Sequence, residues 1–189
     1  MVEGRGPWRR LSSMRASVNS WFHYRHDHIE LPDGSRTTYA YQDQAESVVV
    51  VPVTDAGQVV LLRQYRYPVD EWCYEVPAGG LHGEPPEEGA RRELEEEAGG
   101  RCRDLELVGT FYGLPGSCNV RFFIFVATGV ELGQNAPEAT EDLEVVCVDA
   151  EQALEMAYSG AVSDGPSALA LLRCAPRLRR QQRPGEAVE

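Results

Sequence analysis

The stretch that decides the fold is EVPAGGLHGEPPEEGARRELEEEAGG, residues 75–100, which joins a Gly-rich loop to a run of helix-forming residues. Ala, Leu, Glu and Arg dominate residues 87–98, and this composition predicts a helix that ends at the pair Gly99-Gly100. Three of its glutamates are spaced i, i+3 and i+4, so they project from one face of the helix: Glu93, Glu96 and Glu97. The sequence therefore predicts a cluster of carboxylates directly after a Gly-rich loop.

The carboxylate cluster has two interpretations. Like charges at these spacings each cost about 0.2–0.5 kcal/mol unless something neutralises them. A hard divalent cation such as Mg²⁺ binds a few carboxylates together with substrate phosphates, so the cluster is a candidate metal-diphosphate site. The alternative is a solvated acidic helix face, which helix periodicity alone favours. Only the order of the surrounding residues distinguishes the two.

Outside this stretch, the pattern predicts an α/β fold with a mixed sheet between helices. The hairpin turn at Asp33-Gly34 separates the first two strands, and Pro52 is expected to end the third. Helices are predicted at residues 149–159, where Asp149 and Gln152 have capping-box spacing, and at 163–174. The predicted strands are residues 21–31, 36–42, 48–51, 59–65, 105–112, 121–128 and 143–148.

Composition limits the class of protein. A chain of 189 residues, 42% hydrophobic and 25% charged, suits one globular domain, and its net charge of −12 disfavours nucleic acid as a partner. No run of 18 apolar residues exists, so no membrane span is expected, and the basic N-terminus lacks the apolar segment of a secretory signal. The five scattered cysteines form no CxxC pair, which favours a reduced, cytoplasmic protein without zinc. We expect a flexible extension at residues 1–18, one domain at 19–175 and a flexible tail at 176–189.

The order of residues in the decisive stretch resembles the Nudix box, G-x5-E-x7-R-E-U-x-E-E-x-G-U, where U is apolar. Glu84 is followed after seven residues by Arg92-Glu93-Leu94, then by Glu96-Glu97 and Gly99. Two positions depart from the pattern. Ala78 occupies the first glycine position while Gly79 lies one residue closer, so the loop is one residue short, and Gly100 replaces the final apolar residue.

Further motifs resemble the ADP-ribose pyrophosphatase branch of the Nudix hydrolase superfamily, over residues 21–172. RQYR at residues 63–66 and EVPAG at 75–79 match two of its elements, and Pro115-Gly116 resembles its specificity loop. The resemblance implies a Nudix α/β/α sandwich with N-terminal antiparallel strands. It also implies Mg²⁺-dependent hydrolysis of ADP-ribose, or a related nucleoside diphosphate sugar, to AMP and ribose 5-phosphate, with Mn²⁺ as an acceptable replacement for Mg²⁺.

The resemblance also assigns roles to individual residues. The Ala78 carbonyl, Glu93 and Glu97 would bind the metal, and Glu96 would be a further ligand or orient water. Arg92 is expected to pair with a carboxylate more than to contact substrate. Arg63, Arg66, Pro115 and Gly116 are the expected substrate contacts, although Arg66 has the alternative of an ordinary surface residue. Glu75 would bind a ribose hydroxyl or a second metal, or form only a local salt bridge, and Glu84 is expected to be structural.

The catalytic base does not lie where many bacterial members of the branch have it. Many bacterial members of the branch place a carboxylate after the specificity loop, but here that stretch is Cys118-Asn119-Val120. Glu141 matches the position of a glutamate that some animal ADP-sugar hydrolases use instead.

Assembly and substrate have open alternatives. The resemblance implies a homodimer whose N-terminal strands contribute to the interface and to the partner's site. The aromatic residues Trp21, Tyr24, Tyr39 and Tyr41 would stack a base or would serve only as core or interface residues. Another nucleoside diphosphate derivative, such as NADH or a dinucleoside polyphosphate, remains an alternative substrate, and a non-catalytic nucleotide-sensing module remains an alternative function.

Overall fold

The computed structural model describes residues 6–17, 23–134 and 143–181. Within these ranges the strands are β1 (Arg9–Ser17), β2 (His23–Glu30), β3 (Arg36–Gln42), β4 (Ser47–Thr54), β5 (Gln58–Arg66), β6 (Glu71–Glu75), β7 (Ala78–Gly80), β8 (Gly100–Tyr112), β9 (Arg121–Leu132) and β10 (Leu143–Asp149). The helices are α1 (Pro86–Ala98), α2 (Ala150–Ser159) and α3 (Gly165–Gln181). The chain divides into an N-terminal unit, residues 1–45 and 112–121, and a main unit, residues 46–111 and 122–189.

The main unit is built on a mixed sheet. Its strand order is β10-β5-β4-β9-β8, with β6 paired to β5 and β7 paired to β4. β4 runs parallel to β9 and antiparallel to β5 and β7. The four valines at residues 48–51 are fully buried, as the continuous β-branched run predicts for a strand covered on both faces.

Helices cover both faces of this sheet. Val49, Val51 and Leu61 pack in one core with residues of α2 and α3. The side chains on the other face of the same strands, including Val48 and Val50, pack in a second core with Ala90, Leu94 and Ala98 of α1. Because strand side chains alternate between faces, one sheet supports two cores. The predicted α/β/α sandwich is therefore confirmed.

Helix α1 is placed by its apolar stripe and by its ends. Ala90, Leu94 and Ala98 recur every four residues and are buried against the sheet, which stabilises the helix more than its weak capping does. Pro85 precedes the helix without a side-chain cap, and Glu87 and Glu88 lie in the first turn, where negative charge is favourable. The helix stops at Gly99, whose φ of 64° is the left-handed conformation expected at this position. None of the helices in the described part of the chain is long and apolar enough to cross a membrane.

The N-terminal unit contains an antiparallel sheet in the order β1-β2-β3. The predicted hairpin joins β2 and β3 at Gly34, which has a φ of 82°, and the side chain of Asp33 accepts hydrogen bonds from the amide and hydroxyl of Ser35. In the same unit, the loop between β8 and β9 is hydrogen-bonded to the end of β3: Gln42 N–H donates to the Ser117 carbonyl at 2.8 Å.

Two predicted boundaries in the sequence differ from the structure. Residues 9–17 fall within the predicted N-terminal extension but form β1, which pairs with β2 along its length. Its side chains are mostly exposed, so no hydrophobic alternation marks the strand. Helix α3 runs to Gln181 through Pro176, into the predicted C-terminal tail, because Cys174, Ala175 and Leu178 are buried and offset the hydrogen bond lost at the proline.

Smaller predictions also need correction. Pro52 does not end β4, since the residues on both sides of it stay paired with β9 and the proline costs at most one ladder hydrogen bond. Asp149 precedes α2 as predicted, but its side chain makes no capping hydrogen bond. Strands β6 and β7 have no counterpart in the prediction because they are five and three residues long.

Candidate active site

Residues 76–78, which comprise the connection between β6 and β7 and the first residue of β7, lie next to the carboxylates of α1. Each of these residues makes a hydrogen bond to a different part of the main unit. Val76 N–H donates to the Ser167 hydroxyl at 3.1 Å, and the Pro77 carbonyl accepts from Val50 N–H at 2.8 Å. Ala78 N–H donates to the carboxylate of Glu97 at 2.9 Å. The backbone of the predicted metal-binding carbonyl is thus held from both sides.

Glu93 and Glu97 are buried carboxylates, with only 7% and 4% of their surface exposed. They lie one turn apart on α1, on the side of the helix that faces β7. Glu93 is so close to Gly79 that a Cβ on that glycine would lie 2.0 Å from Glu93 Oε1. The glycine therefore gives the carboxylate the space that any other residue would take. The burial of Glu93 and Glu97 argues against the alternative of a solvated acidic helix face at these two positions.

Arg92 is the centre of the polar network on α1. Its guanidinium donates to Glu84 and to the Gly80 carbonyl at 2.9 Å, to Glu93 at 2.8 Å and to Glu96 at 2.9 Å. Burial would lower the pKa of Arg92, but the hydrogen bonds with Glu84 and Glu96 outweigh burial and raise it. The arginine lowers the pKa of Glu84 to about 2. One guanidinium faces three carboxylates, so this group keeps a negative charge.

The one-residue-short loop between β7 and α1 is held by two hydrogen bonds. Leu81 N–H donates to the Glu46 carbonyl at 2.7 Å, and His82 N–H donates to Glu84 at 2.8 Å. Gly83 takes a φ of 97°, which a residue with a side chain rarely adopts. Glu84 is thus the residue that connects this loop to Arg92, in keeping with its expected structural role.

The second departure from the box, Gly100, has a steric explanation. A Cβ at Gly100 would lie 2.8 Å from Cδ1 of Leu94 and 3.3 Å from Cγ1 of Val130. The apolar side chain that the pattern expects there has no space, because Leu94 already fills it.

Arg66 and Glu75 form a bidentate ion pair at the ends of β5 and β6. The two hydrogen bonds measure 2.7 and 2.5 Å, and Glu75 is buried. The hydrogen bonds that Arg66 donates to Glu75 raise the pKa of Arg66, and the charges of Glu97 and Asp164 act in the same direction. Arg66 therefore lies close enough to the carboxylates of the site to interact with their charge. Of the roles considered for Glu75, a local salt bridge is the one that its contacts in the structure match.

Arg63 does not join this group. Its guanidinium lies over the ring of Trp72 at 4.5 Å from the centroid and donates to Glu144 at 3.3 Å. Because strand side chains alternate, Arg63 and Arg66 project from opposite faces of β5. Of the two arginines predicted to contact substrate, only Arg66 lies with the carboxylates.

Pro115 and Gly116 lie in the N-terminal unit, in the loop between β8 and β9. The hydroxyl of Tyr39 donates to the Gly116 carbonyl at 2.6 Å. Asn119, in the position where many bacterial members have a carboxylate, donates to Asp43 at 2.7 Å and accepts from Gln44 N–H at 2.8 Å. Both polar atoms of the Asn119 side chain are therefore used to hold the loop.

A cavity of about 510 Å³ opens in the N-terminal unit. Tyr39 contacts Trp8 and Tyr41 through tilted rings with centroids 6.0 and 6.4 Å apart. The cavity lining is mainly aromatic: Trp8, Tyr39, Tyr41, Tyr112, Pro115, Cys118 and Asn119. Trp21 and Glu141 lie outside the described residues.

The residues of α1 and β7 fit a hard divalent cation by their chemistry. No three His, Cys, Asp or Glu side chains within the described ranges converge on a point that a cation would occupy. The donors are nevertheless all oxygens, namely carboxylates and a backbone carbonyl, which Mg²⁺ prefers. The excess of carboxylates over the single guanidinium of Arg92 suits a cation that would neutralise them.

Two features of the site have no clear signal in the sequence. The steric role of Gly79 depends on the approach of α1 to β7. The bond from Val76 to Ser167 joins residues that are 91 positions apart.

Comparison with known proteins gives one family match, two similar proteins and one similar structure. The family model of the NUDIX domain matches residues 43–167. The ADP-ribose pyrophosphatase of Bacillus subtilis (strain 168) is 35% identical over 146 residues, which cover 76% of this chain and 79% of that protein. The methanol dehydrogenase activator of Bacillus methanolicus is 30% identical over 148 residues, or 77% of this chain and 80% of that protein. A crystal structure of an ADP compounds hydrolase has the same fold, with a TM-score of 0.80 at 21% identity over 95% of this chain and 98% of that chain.

Proposed function

Because the chain belongs to the NUDIX family, we propose that it is a Mg²⁺-dependent hydrolase of the diphosphate bond of ADP-ribose, releasing AMP and ribose 5-phosphate. Its similarity to an ADP-ribose pyrophosphatase over three quarters of the chain supports this substrate. The observation that carries the proposal is the packing of two buried carboxylates, Glu93 and Glu97, against the backbone of Ala78 and Gly79.

Metal binding is assigned to this group of oxygens. Glu93, Glu97 and the Ala78 carbonyl would hold the ion, and Glu96, which is exposed, would add a ligand or orient water. When bound, Mg²⁺ neutralises phosphate charge and lowers the pKa of a bound water. Arg92 keeps Glu93 and Glu96 in place through its hydrogen bonds, and it is a positioning residue.

Substrate contact is assigned to Arg66, with Glu75 orienting it. The guanidinium fork suits bidentate contact with phosphate, and Glu75 fixes the plane of that fork. The loop at Pro115 and Gly116, with the aromatic cavity of the N-terminal unit, suits a flat ring such as a nucleobase. Arg63 is not assigned to substrate contact, because its guanidinium stacks on the Trp72 ring and donates a hydrogen bond to Glu144.

The general base is assigned to Glu141, which would orient or deprotonate the attacking water. This assignment comes from the position of Glu141 in the sequence. Asn119 supports it, because its side chain is hydrogen-bonded to Asp43 and Gln44 and has no carboxylate with which to take a proton.

The substrate is tested by comparing kcat/KM for ADP-ribose, other ADP-sugars, NADH and a dinucleoside polyphosphate, with products separated by chromatography. We expect ADP-ribose to have the highest value, with AMP and ribose 5-phosphate as products. A higher kcat/KM for another compound would identify that compound as the preferred substrate instead of ADP-ribose. Saturable binding of these compounds without any product would instead support a nucleotide-sensing module.

We further propose that the chain is a homodimer formed through the N-terminal unit. Strand β1 is an edge strand and carries exposed apolar side chains, with Trp8 just before it 47% exposed and Met14 within it 62% exposed. Met14→Glu should therefore give monomers in sedimentation, and deletion of residues 1–42 should do the same and raise KM. Tyr158→Glu, at a similarly exposed site on α2, is the control and should leave the dimer intact. A wild-type chain that sediments as a monomer contradicts this proposal.

A further inference from the structure

Ser167 is fully buried, and its hydroxyl is used twice. It lies in the first turn of α3, and its hydroxyl donates to the carboxylate of Asp164 at 2.6 Å. The same oxygen accepts the N–H of Val76 at 3.1 Å. A buried hydroxyl with a donor and an acceptor partner is fixed in one orientation.

Asp164 completes this arrangement by capping α3. It immediately precedes the helix, and its carboxylate accepts the Ser167 N–H at 2.9 Å as well as the Ser167 hydroxyl. This satisfies one of the free amides at the start of the helix. The position of the Ser167 oxygen is therefore set by the cap of a helix that packs on the sheet face opposite α1.

Val76 connects the Ser167 hydroxyl to the backbone of the candidate metal site. It is 1% exposed and lies between Glu75, which holds Arg66, and Ala78, whose N–H binds Glu97. A proline follows Val76, so the next backbone N–H in the chain is that of Ala78. The backbone from Glu75 to Ala78 thus has its amides tied to Ser167 on one side and to Glu97 on the other.

We propose that Ser167, oriented by Asp164, is a positioning residue that sets the Ala78 carbonyl and Glu97 in the geometry needed to bind the divalent metal. The inference rests on the proposed function for the identity of the site. Loss of the hydroxyl leaves the buried Val76 N–H without its acceptor and frees the backbone to shift. Because partners of metal ligands typically change affinity or activity by about 10- to 100-fold, Ser167→Ala should raise the Mn²⁺ dissociation constant by that factor.

The experiment measures Mn²⁺ binding by electron paramagnetic resonance in the full-length protein without substrate. It is paired with the Mg²⁺ concentration for half-maximal ADP-ribose hydrolysis. For Ser167→Ala, both values should rise about 10- to 100-fold, while KM for ADP-ribose at saturating Mg²⁺ stays close to wild type. A lower unfolding temperature with unchanged Mn²⁺ affinity overturns the inference, since the hydroxyl would then only stabilise the fold.

Asp164 variants keep the test decisive if Ser167→Ala does not fold. Asp164→Ala removes the acceptor that orients the hydroxyl and should weaken Mn²⁺ binding, whereas Asp164→Asn keeps an acceptor oxygen and should restore it. Asp149→Ala is the matched control, because Asp149 precedes α2 in the same way without a capping hydrogen bond. Equal Mn²⁺ affinity in Asp164→Ala and Asp149→Ala contradicts the inference. Wild-type protein that binds Mn²⁺ but does not hydrolyse ADP-ribose would overturn the proposed substrate, and the comparison of Mn²⁺ affinities would still decide the role of Ser167.

Discussion

Replacing Gly79 by alanine adds one methyl group at the point where α1 approaches β7. The new Cβ would lie 2.0 Å from Oε1 of Glu93, 2.2 Å from its Cδ and 2.6 Å from its Oε2. Ordinary contact begins at 3.4 Å, so Oε1 has to retreat by the difference, 3.4 − 2.0 = 1.4 Å. The obstructed atoms are at the end of a flexible side chain, so the fold can accommodate the methyl group. The Glu93 oxygen that is proposed to bind the metal cannot stay in place.

A displacement of this size has a large effect on catalysis and a small one on stability. Misplacement of a reacting group by about 1 Å can cost about 100-fold in rate, so we expect Gly79→Ala to lower kcat/KM by about 100-fold. Mn²⁺ affinity should fall in parallel, while the midpoint of urea unfolding should change little.

Gly80→Ala is the matched control, because a Cβ at Gly80 meets nothing within 4 Å and the φ of Gly80 is not positive. It should keep wild-type kinetics. Wild-type activity in Gly79→Ala, or an equal loss in both variants, would refute the argument that Gly79 makes space for a functional carboxylate.

Three further predictions address individual carboxylates. Glu97→Gln keeps an acceptor for the Ala78 N–H but loses the negative charge, so it should remove most turnover without unfolding the protein. Normal activity of this variant at saturating Mg²⁺ would contradict the assignment of Glu97 as a metal ligand. Glu84 has its pKa lowered by Arg92 from 4.5 to about 2, so it stabilises the fold above pH 4.5. The difference in unfolding free energy between wild type and Glu84→Gln should therefore be constant above pH 4.5 and disappear towards pH 2. A difference that persists at pH 2 would argue against a stabilising ion pair between Glu84 and Arg92. Glu141→Gln should lower kcat by about 10²- to 10⁴-fold with little change in KM, and Glu138→Gln should be nearly silent; the opposite order would make Glu138 the base.

Much of the fold was predictable because its signals are local. The valine run of β4, the Asp33-Gly34 hairpin and the stop of α1 at Gly99 each depend on a few adjacent residues. Strand β1 was missed because it is stabilised by backbone pairing with β2, and its exposed side chains carry no alternation. The extension of α3 past Pro176 depends on the burial of Leu178, which only the packed structure reveals.

The site was predictable to the extent that its residues follow one another in the box. The spacing of Glu93, Glu96 and Glu97 places them on one helix, and Arg92 pairs with two of them as expected. Arg63 was grouped with Arg66 from a shared motif, but strand alternation separates the two. Ser167 could not be found from the sequence, because its contact with Val76 depends on how α3 packs on the sheet.

The central claim is that the α1 carboxylates hold a divalent cation with which the chain hydrolyses ADP-ribose. Its most direct test is the release of AMP and ribose 5-phosphate from ADP-ribose as Mg²⁺ is removed with a chelator and then restored. We predict equal amounts of the two products with Mg²⁺, no release with the chelator, and full recovery when Mg²⁺ is added in excess. Undiminished release in the presence of the chelator, or no release at any Mg²⁺ concentration, would contradict the claim.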